Sequence, residues 1–198
     1  MKKTSLIHLA GAAVLALSLG ACESNMQTRM QPELTYGHLT PLQLNVASLE
    51  VVAEYKSSLT APNVELRLPT SPEKAIRRWA GDRLLVVGTS GTARLTIINA
   101  SVIETSLKTV GGLTGALTKE QSERYDVAIE VRLDISDGSG TSYGTANASV
   151  GRWITVREDA SLNEREQAWF NLVEAVMNDF NGELEKNIRL YLGGWLKQ

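Results

Sequence analysis

The stretch RYDVAIEVRLDISDGSG, residues 124–140, constrains the fold more than any other part of the sequence. Apolar side chains recur at every second position, namely Val127, Ile129, Val131, Leu133 and Ile135. This alternation is typical of an antiparallel strand that buries one face and leaves the other in water. Asp137-Gly138-Ser139-Gly140 then favours a turn. The following SYGTANASVGRWITV, residues 142–156, predicts the strand that returns beside it.

The returning strand carries one residue that conflicts with its apolar phase. Ala146, Ala148, Val150, Ile154 and Val156 share a face, and Arg152 falls on that same face. A charge there is costly unless it is paired or lies near the strand end. Alternatively, Gly151 marks a bulge that turns Arg152 outward.

Two earlier strands precede this pair. Residues 42–55 predict a strand with a bulge near Ala47-Ser48, because the alternation slips there. Residues 92–107 predict another strand, in which Ala93, Leu95 and Ile97 alternate before the phase changes at Ile98.

Two helices are indicated by their N-terminal signals. Ser71 can cap a short helix that has Pro72 at its first position. Ser161 and Glu164 form a capping box at the start of a longer helix. Its apolar stripe is suited to lying across a sheet and comprises Trp169, Leu172, Val173, Val176, Met177, Phe180, Leu184, Ile188, Tyr191, Leu192 and Trp195. The acid pairs Glu164/Glu166 and Glu183/Glu185 are expected on its solvated surface.

Together these elements predict a single α+β domain over residues 42–198. Its four-stranded, mainly antiparallel sheet carries both helices on one face, in the order β-α-β-β-β-α. The opposite face is polar and available to a partner, and its candidate binding residues include Glu130 and Arg132. The Gly-rich loop 108–122 adds Val110, Leu113 and Leu117, which either insert into a partner groove or membrane surface or fold back on the sheet edge.

The N-terminus has the pattern of a secretory signal peptide. Lys2 and Lys3 precede an apolar run from Ser5 to Leu19, which at about 15 residues is short for a membrane-spanning helix. Leu19-Gly20-Ala21-Cys22 resembles the lipobox of bacterial lipoproteins. The resemblance implies cleavage before Cys22, a diacylglyceryl group on its thiol and an acyl group on its new amine. There are two alternatives to a lipoprotein signal. One is an ordinary signal peptide with an incidental cysteine, and the other is an uncleaved membrane anchor.

This interpretation divides the chain into a signal peptide (1–21), a lipidated cysteine with a flexible tether (22–41) and the domain (42–198). Tyr36 and Leu39 are candidates to fasten the tether to the domain. Cleavage lowers the basic count from 20 to 18 against 22 acidic residues, a net charge of −4, which gives no electrostatic case for nucleic-acid binding. Lipidation would consume the only cysteine, and His38 would be the only histidine left. We therefore expect no disulfide, no metal site, no catalytic residue and no cofactor besides the covalent lipid.

The whole pattern resembles small envelope lipoproteins of Gram-negative bacteria. The residues that carry the resemblance are the DVAIEVRLDISDGSG strand and turn, Arg152 late in the last strand, and the amphipathic closing helix with Met177. Two groups fit: the lipopolysaccharide-assembly lipoprotein and the auxiliary lipoproteins of ABC-type transport systems. The former commonly follows its cysteine with glycine and an aromatic residue, whereas this chain has Glu23 and Ser24, so only the broad class is carried over.

The resemblance implies a non-catalytic, membrane-anchored accessory lipoprotein that binds a protein or lipid partner of an envelope assembly or transport machine. A cell-envelope hydrolase and a structural cell-wall tether are the alternatives. Glu23 is not the aspartate that retains many lipoproteins in the inner membrane. We therefore expect the protein on the periplasmic face of the outer membrane rather than the inner.

Overall fold

The computed structural model describes residues 33–108 and 120–197. Two α-helices and six strands make up most of this part of the chain. They are β1 (Leu42–Leu44), β2 (Ser48–Ala53), α1 (Pro72–Arg83), β3 (Leu84–Val86), β4 (Thr92–Ser106), β5 (Gln121–Ser136), β6 (Tyr143–Arg157) and α2 (Leu162–Tyr191). Single turns of 3₁₀-helix cover Glu65–Arg67 and Gly193–Trp195.

The main sheet has four strands in the order β2-β4-β5-β6. β2 runs parallel to β4, and the other two pairs are antiparallel. The predicted α+β class and the mainly antiparallel four-stranded sheet are confirmed. Because β2 and β4 are parallel, the chain needs a crossover between them, and α1 lies within that connection.

The structure corrects the prediction of one bulged strand over residues 42–55. β1 pairs in parallel with β3 in a separate two-stranded sheet, whereas β2 joins the main sheet. The slip near Ala47-Ser48 is therefore the point where the chain passes from one sheet to the other. Gly88 allows this close crossing, because a Cβ atom there would lie 2.5 Å from the backbone at Asn45 and Val46.

The predicted phase change in β4 is confirmed. The register with β5 shifts between Ile97 and Asn99, so one extra residue is accommodated there. Ala93, Leu95 and Ile97 before the shift and Ala100 and Val102 after it are all buried. The bulge therefore keeps both halves of a 15-residue strand facing the same core.

Both helices pack on one face of the main sheet and share its core. Trp79 of α1 meets Phe180 of α2 edge to face, with ring centroids 5.0 Å apart. The apolar stripe of α2 is buried except near its end, where Tyr191 is exposed and Leu192 is buried. Ile188 and Leu192 are four residues apart, so the stripe continues through Leu192 and Tyr191 faces away from it.

Arg152 faces the helix side of the sheet and is paired there. Its guanidinium donates to the Asp179 carboxylate of α2, with Nη2 to Oδ1 at 2.9 Å. The register between β5 and β6 is regular from residue 143 to 156, so Gly151 makes no bulge. Of the two alternatives for Arg152, the ion pair is the one observed.

Residues 33–41, which the sequence assigns to the tether, pack against the domain. Leu34 and Tyr36 are buried. The Asp82 carboxylate accepts the Tyr36 backbone N–H at 2.8 Å and the Thr35 hydroxyl at 3.2 Å. Burial, with the nearby charges of Glu174 and Asp82, raises the pKa of the Tyr36 phenol to about 12.

A buried arginine links this segment to both helices. The Arg83 side chain is 2% exposed and donates to the Thr40 carbonyl, the Asn181 side chain and the Glu185 carboxylate. Glu185 also accepts from Arg189, at 2.7 Å. The expectation that Glu185 lies on a merely solvated helix surface is therefore wrong, because its carboxylate neutralises a buried guanidinium.

Candidate partner-binding surface

The side of β4, β5 and β6 that the helices leave uncovered is polar, and we call it the polar face. The strand register sets three pairs of neighbours on it: Glu130 beside Ser149, Arg132 beside Asn147, and Asp134 beside Thr145. These positions alternate with the buried residues of β5 and β6, so the same periodicity that builds the core also builds this surface. Tyr143 and Trp153 lie on it too and are 70% and 58% exposed.

Asp134 is the centre of a hydrogen-bonded cluster on the polar face. Its carboxylate accepts from the Tyr143 hydroxyl at 2.7 Å and from the Thr145 hydroxyl at 2.8 Å. The Arg132 Nε donates to its other oxygen, also at 2.8 Å. Four side chains from two adjacent strands are thus held in one arrangement before any partner arrives.

The cluster keeps Asp134 ionised. Partial burial on its own would raise the pKa of this carboxyl, but the hydrogen bonds from Tyr143, Thr145 and Arg132 outweigh it and lower the pKa below its usual value. A carboxyl of low pKa is fully ionised at neutral pH and has no proton to give. Asp134 is therefore suited to electrostatic recognition rather than to general acid catalysis.

A shallow depression lies beside this cluster. Its volume is about 270 Å³, and it is lined by Thr92, Arg94, Asp134, Ile135, Ser136 and Tyr143. The Arg94 guanidinium at its margin pairs with Glu50 of β2 at 3.0 Å, and both side chains are more than half exposed. The depression is slightly smaller than typical small-molecule pockets, and its lining is mostly polar. It is better suited to receive a polar side chain of a partner than an extended apolar ligand.

The far end of the polar face carries an aromatic residue with a cation over its ring. The Arg124 guanidinium lies 4.5 Å from the Trp153 ring centroid. Arg124 also pairs with Asp126, at 2.6 Å. Aromatic and arginine side chains contribute most often to the energetic centres of protein interfaces, so this end also has the chemistry of a contact surface.

The structure places only some of the predicted site residues. Glu130 and Arg132 both lie on the polar face. Val110, Leu113, Leu117, Leu19, Gly20, Ala21 and Cys22 lie outside the described residues. The sequence analysis did not single out Tyr143 or Trp153, although strand periodicity could have identified them, since both share the phase of Thr145, Asn147 and Ser149.

A second cluster of polar groups is internal. The buried Glu65 carboxylate accepts from the Tyr55 hydroxyl at 2.6 Å and from the Ser58 backbone N–H at 3.2 Å. Burial tends to raise the pKa of Glu65, but the hydrogen bonds from the Tyr55 hydroxyl, the backbone N–H groups of Glu65 and Val102, and the Asn63 amide lower it overall. Through these hydrogen bonds the carboxylate holds the loop before α1 against β4. Since it has no solvent access, it is a structural group and not a binding site.

Within residues 33–108 and 120–197, no three histidine, cysteine or acidic side chains come together as a metal site would require. No helix of this part of the chain is both long and apolar enough to cross a bilayer. The polar face is the candidate functional site because it carries the ordered Asp134 cluster.

Comparison with solved structures finds a distant similarity. The chain is similar to rare lipoprotein B from Shewanella oneidensis, with a TM-score of 0.35 and 13% identity, over 70% of this chain and 92% of that one. A similarity of this size assigns neither fold nor function. No protein-family model matches the sequence, and no curated protein matches it.

Proposed function

We propose that this chain is a non-catalytic, membrane-anchored accessory lipoprotein whose polar face binds a protein partner of an envelope assembly or transport machine. The observation that carries the proposal is the Asp134 cluster, in which charged and hydroxyl side chains are ordered on an uncovered sheet face. A binding surface that is ordered in advance loses less conformational entropy when a partner arrives.

The proposed anchor rests on the sequence. Leu19-Gly20-Ala21-Cys22 follows a short apolar run, which is the arrangement that a lipoprotein signal requires. Lipidation of Cys22 would hold the domain at a membrane surface, and Glu23 favours the periplasmic face of the outer membrane. The polar face would then meet partners confined to the same surface.

A protein partner fits this surface better than a lipid does. Acyl chains need an apolar lining, whereas the depression beside Asp134 is lined mainly by hydroxyl and charged groups. The face carries both signs of charge, with Arg94 and Arg132 beside Glu50, Glu130 and Asp134. Mixed charge on a sheet face favours a specific protein surface of complementary pattern.

Site-specific photocrosslinking in a Gram-negative host tests the proposal. A crosslinking amino acid would replace Arg132 or Asn147 on the polar face, and Lys186 on the outer surface of α2 would serve as the control position. We expect one envelope protein to be trapped from both polar-face positions and not from position 186. Adding Asp134→Asn should reduce that adduct at unchanged protein level. The same adducts from all three positions, or adducts with phospholipid alone, would contradict the proposal.

A further inference from the structure

A second cavity lies at the C-terminal end of α2. Its volume is about 420 Å³, which is within the range of ordinary small-molecule sites. Residues 40–43 form one wall, and the rest is formed by Arg189, Gly193, Leu196 and Lys197. No acidic side chain is among these lining residues, whereas the depression on the polar face is lined by both signs of charge. The charged groups that line this cavity are therefore all positive.

Arg189 still has hydrogen-bond donors to offer a ligand. Its Nε and Nη2 both donate to one oxygen of the Glu185 carboxylate, at 3.0 and 2.7 Å. The other oxygen of that carboxylate accepts from the buried Arg83 guanidinium. One negative charge is thus shared by two guanidinium groups, and Arg189 Nη1 has no partner among the described residues. A guanidinium in this situation can donate to a further oxyanion.

Lys197 supplies the second positive charge of the cavity. Its segment is held beside β1, because the Lys197 N–H donates to the Gln43 carbonyl at 2.9 Å and the Asn45 N–H donates to the Trp195 carbonyl at 2.7 Å. Within the part of the chain that the structure describes, the ammonium group has one acceptor, the neutral Val87 carbonyl at 3.2 Å. An ammonium group has three N–H donors, so the other two can bind a ligand.

The charges around the cavity favour an anion that carries more than one negative charge. Three cations, Arg83, Arg189 and Lys197, face one carboxylate, Glu185, which leaves a net charge of +2. The C-terminal end of α2 adds roughly half a negative charge and offsets only part of this excess. A carboxylate ligand brings a single negative charge, whereas a phosphate monoester brings about 1.5 to 2 at pH 7. The phosphate group also presents several oxygens to donors that come from separate segments.

We infer that this cavity binds a phosphate monoester group, carried either by a soluble molecule or by a lipid headgroup. Arg189 Nη1 and the Lys197 ammonium group donate to its oxygens. The Arg189 side chain is 57% exposed and Lys197 is also exposed, so binding weakens as the salt concentration rises. The site is separate from the Asp134 cluster, and it requires neither the partner of the polar face nor the lipid on Cys22.

Calorimetric titration of the full chain in a neutral detergent tests the site. Inorganic phosphate and glycerol 3-phosphate are the probes, at low ionic strength. We expect saturable binding that Lys197→Gln weakens roughly tenfold, because a charge-assisted hydrogen bond is lost. Lys74→Gln removes the same charge from α1, outside the cavity, and should bind as the wild type does. The absence of saturable binding, or an equal loss in the Lys74→Gln chain, would overturn the inference.

The acetylation rate of Lys197, measured by mass spectrometry, distinguishes the two sources of phosphate. The full chain would be reconstituted in phosphatidylcholine vesicles. Slower acetylation after addition of glycerol 3-phosphate supports a soluble ligand, and slower acetylation only in vesicles that contain phosphatidic acid supports a lipid headgroup. Lys74 should react at one rate in all samples. This measurement needs no substitution, so it also decides the case in which circular dichroism shows Lys197→Gln to be unfolded. Equal reactivity of Lys197 in every sample would contradict the proposed site.

Discussion

Asp134 is the residue on which the order of the polar face depends. It accepts from Arg132, Tyr143 and Thr145, so one carboxylate fixes three neighbouring side chains. Replacement by asparagine keeps the shape but removes the charge and one of the acceptor oxygens. The donors that lose their acceptor are then left with poorer hydrogen bonds.

The expected effect of Asp134→Asn on stability depends on pH. The lowered pKa of Asp134 means that its carboxylate stabilises the fold at pH values above the ordinary carboxyl pKa of about 3.9. This stabilisation decreases once the pH falls below the pKa of the carboxyl in the unfolded chain. It is lost completely when the pH falls below the lower pKa of Asp134 in the folded protein. We expect the variant to be less stable by roughly 1–2 kcal/mol at pH 7, and the deficit to shrink below about pH 4. Urea unfolding of the variant and the wild type between pH 2.5 and 7 measures this difference in unfolding free energy.

Glu130→Gln is the matched control for that experiment, because Glu130 lies on the same face of the same strand and is exposed. The unfolding free energy of Glu130→Gln should follow that of the wild type more closely than the unfolding free energy of Asp134→Asn does. A deficit for Asp134→Asn that stays constant over the whole pH range would show that the charge of Asp134 does not contribute in this way.

Single residues of the site were only partly predictable. Alternation in the sequence places Glu130, Arg132 and Asp134 on one face, since period two is a local property of a strand. It does not show that the Tyr143 hydroxyl reaches Asp134, because that contact depends on which residues of β5 and β6 lie side by side. The hairpin register sets this, and the register follows from the turn geometry rather than from the pattern alone.

Among the elements, α2 has the clearest local signal. Ser161 caps the helix by accepting the Glu164 backbone N–H at 3.3 Å, and the Glu164 carboxylate accepts the Ser161 backbone N–H at 2.8 Å. Both bonds join residues three apart, so the sequence could predict the start of the helix correctly.

We expect Ser161→Ala to lower the free energy of unfolding by about 1 kcal/mol, because α2 loses the side-chain acceptor at its first turn. Chemical denaturation of the full chain measures this. Asn163→Ala, in the same exposed turn, is the control and should cause no comparable loss. Equal stability of Ser161→Ala and wild type would show that the cap is replaced by water at no cost.

The division between β1 and β2 shows where prediction from local pattern fails. The alternation slips near Ala47 in either case, whether the chain forms a bulge or changes sheet. The partner of β1 decides between a bulge and a change of sheet. That partner is β3, at residues 84–86, some forty residues further along the chain. A three-residue strand has too little periodicity to be recognised in the sequence.

For the whole molecule, the order of the elements and the shared helix face were predictable, because an amphipathic helix and a one-sided sheet must bury their apolar surfaces together. The parallel pairing of β2 with β4 was not, because the sequence contains no signal for sheet order. The packing of residues 33–41 was predicted in part. Tyr36 and Leu39, the two residues expected to fasten this segment, are buried and partly buried against the core, but the burial of Leu34 was not expected. Leu34 is an isolated apolar residue among polar ones, so local pattern does not show that it packs.

The membrane anchor is also a property of the whole molecule. We expect Cys22→Ser to leave the precursor uncleaved and without lipid, because the proposed lipid is attached to a thiol and Cys22 is the only cysteine in the sequence. Metabolic labelling with a fatty acid and the mobility of the protein on a gel measure both effects. Ser24→Ala should mature normally and is the control. Normal maturation of the Cys22→Ser chain would rule out the lipoprotein anchor.

The placement of Arg83 has a consequence for how the domain comes apart. Its guanidinium bonds residues 43 positions earlier and 102 positions later in the chain, at Thr40 and Glu185. If any one of these segments detaches, a buried charge loses a partner, which is costly in an interior of low polarity. The N-terminal segment, the end of α1 and the second half of α2 therefore behave as a single cooperative folding unit, in which fraying at one place is opposed by the other two.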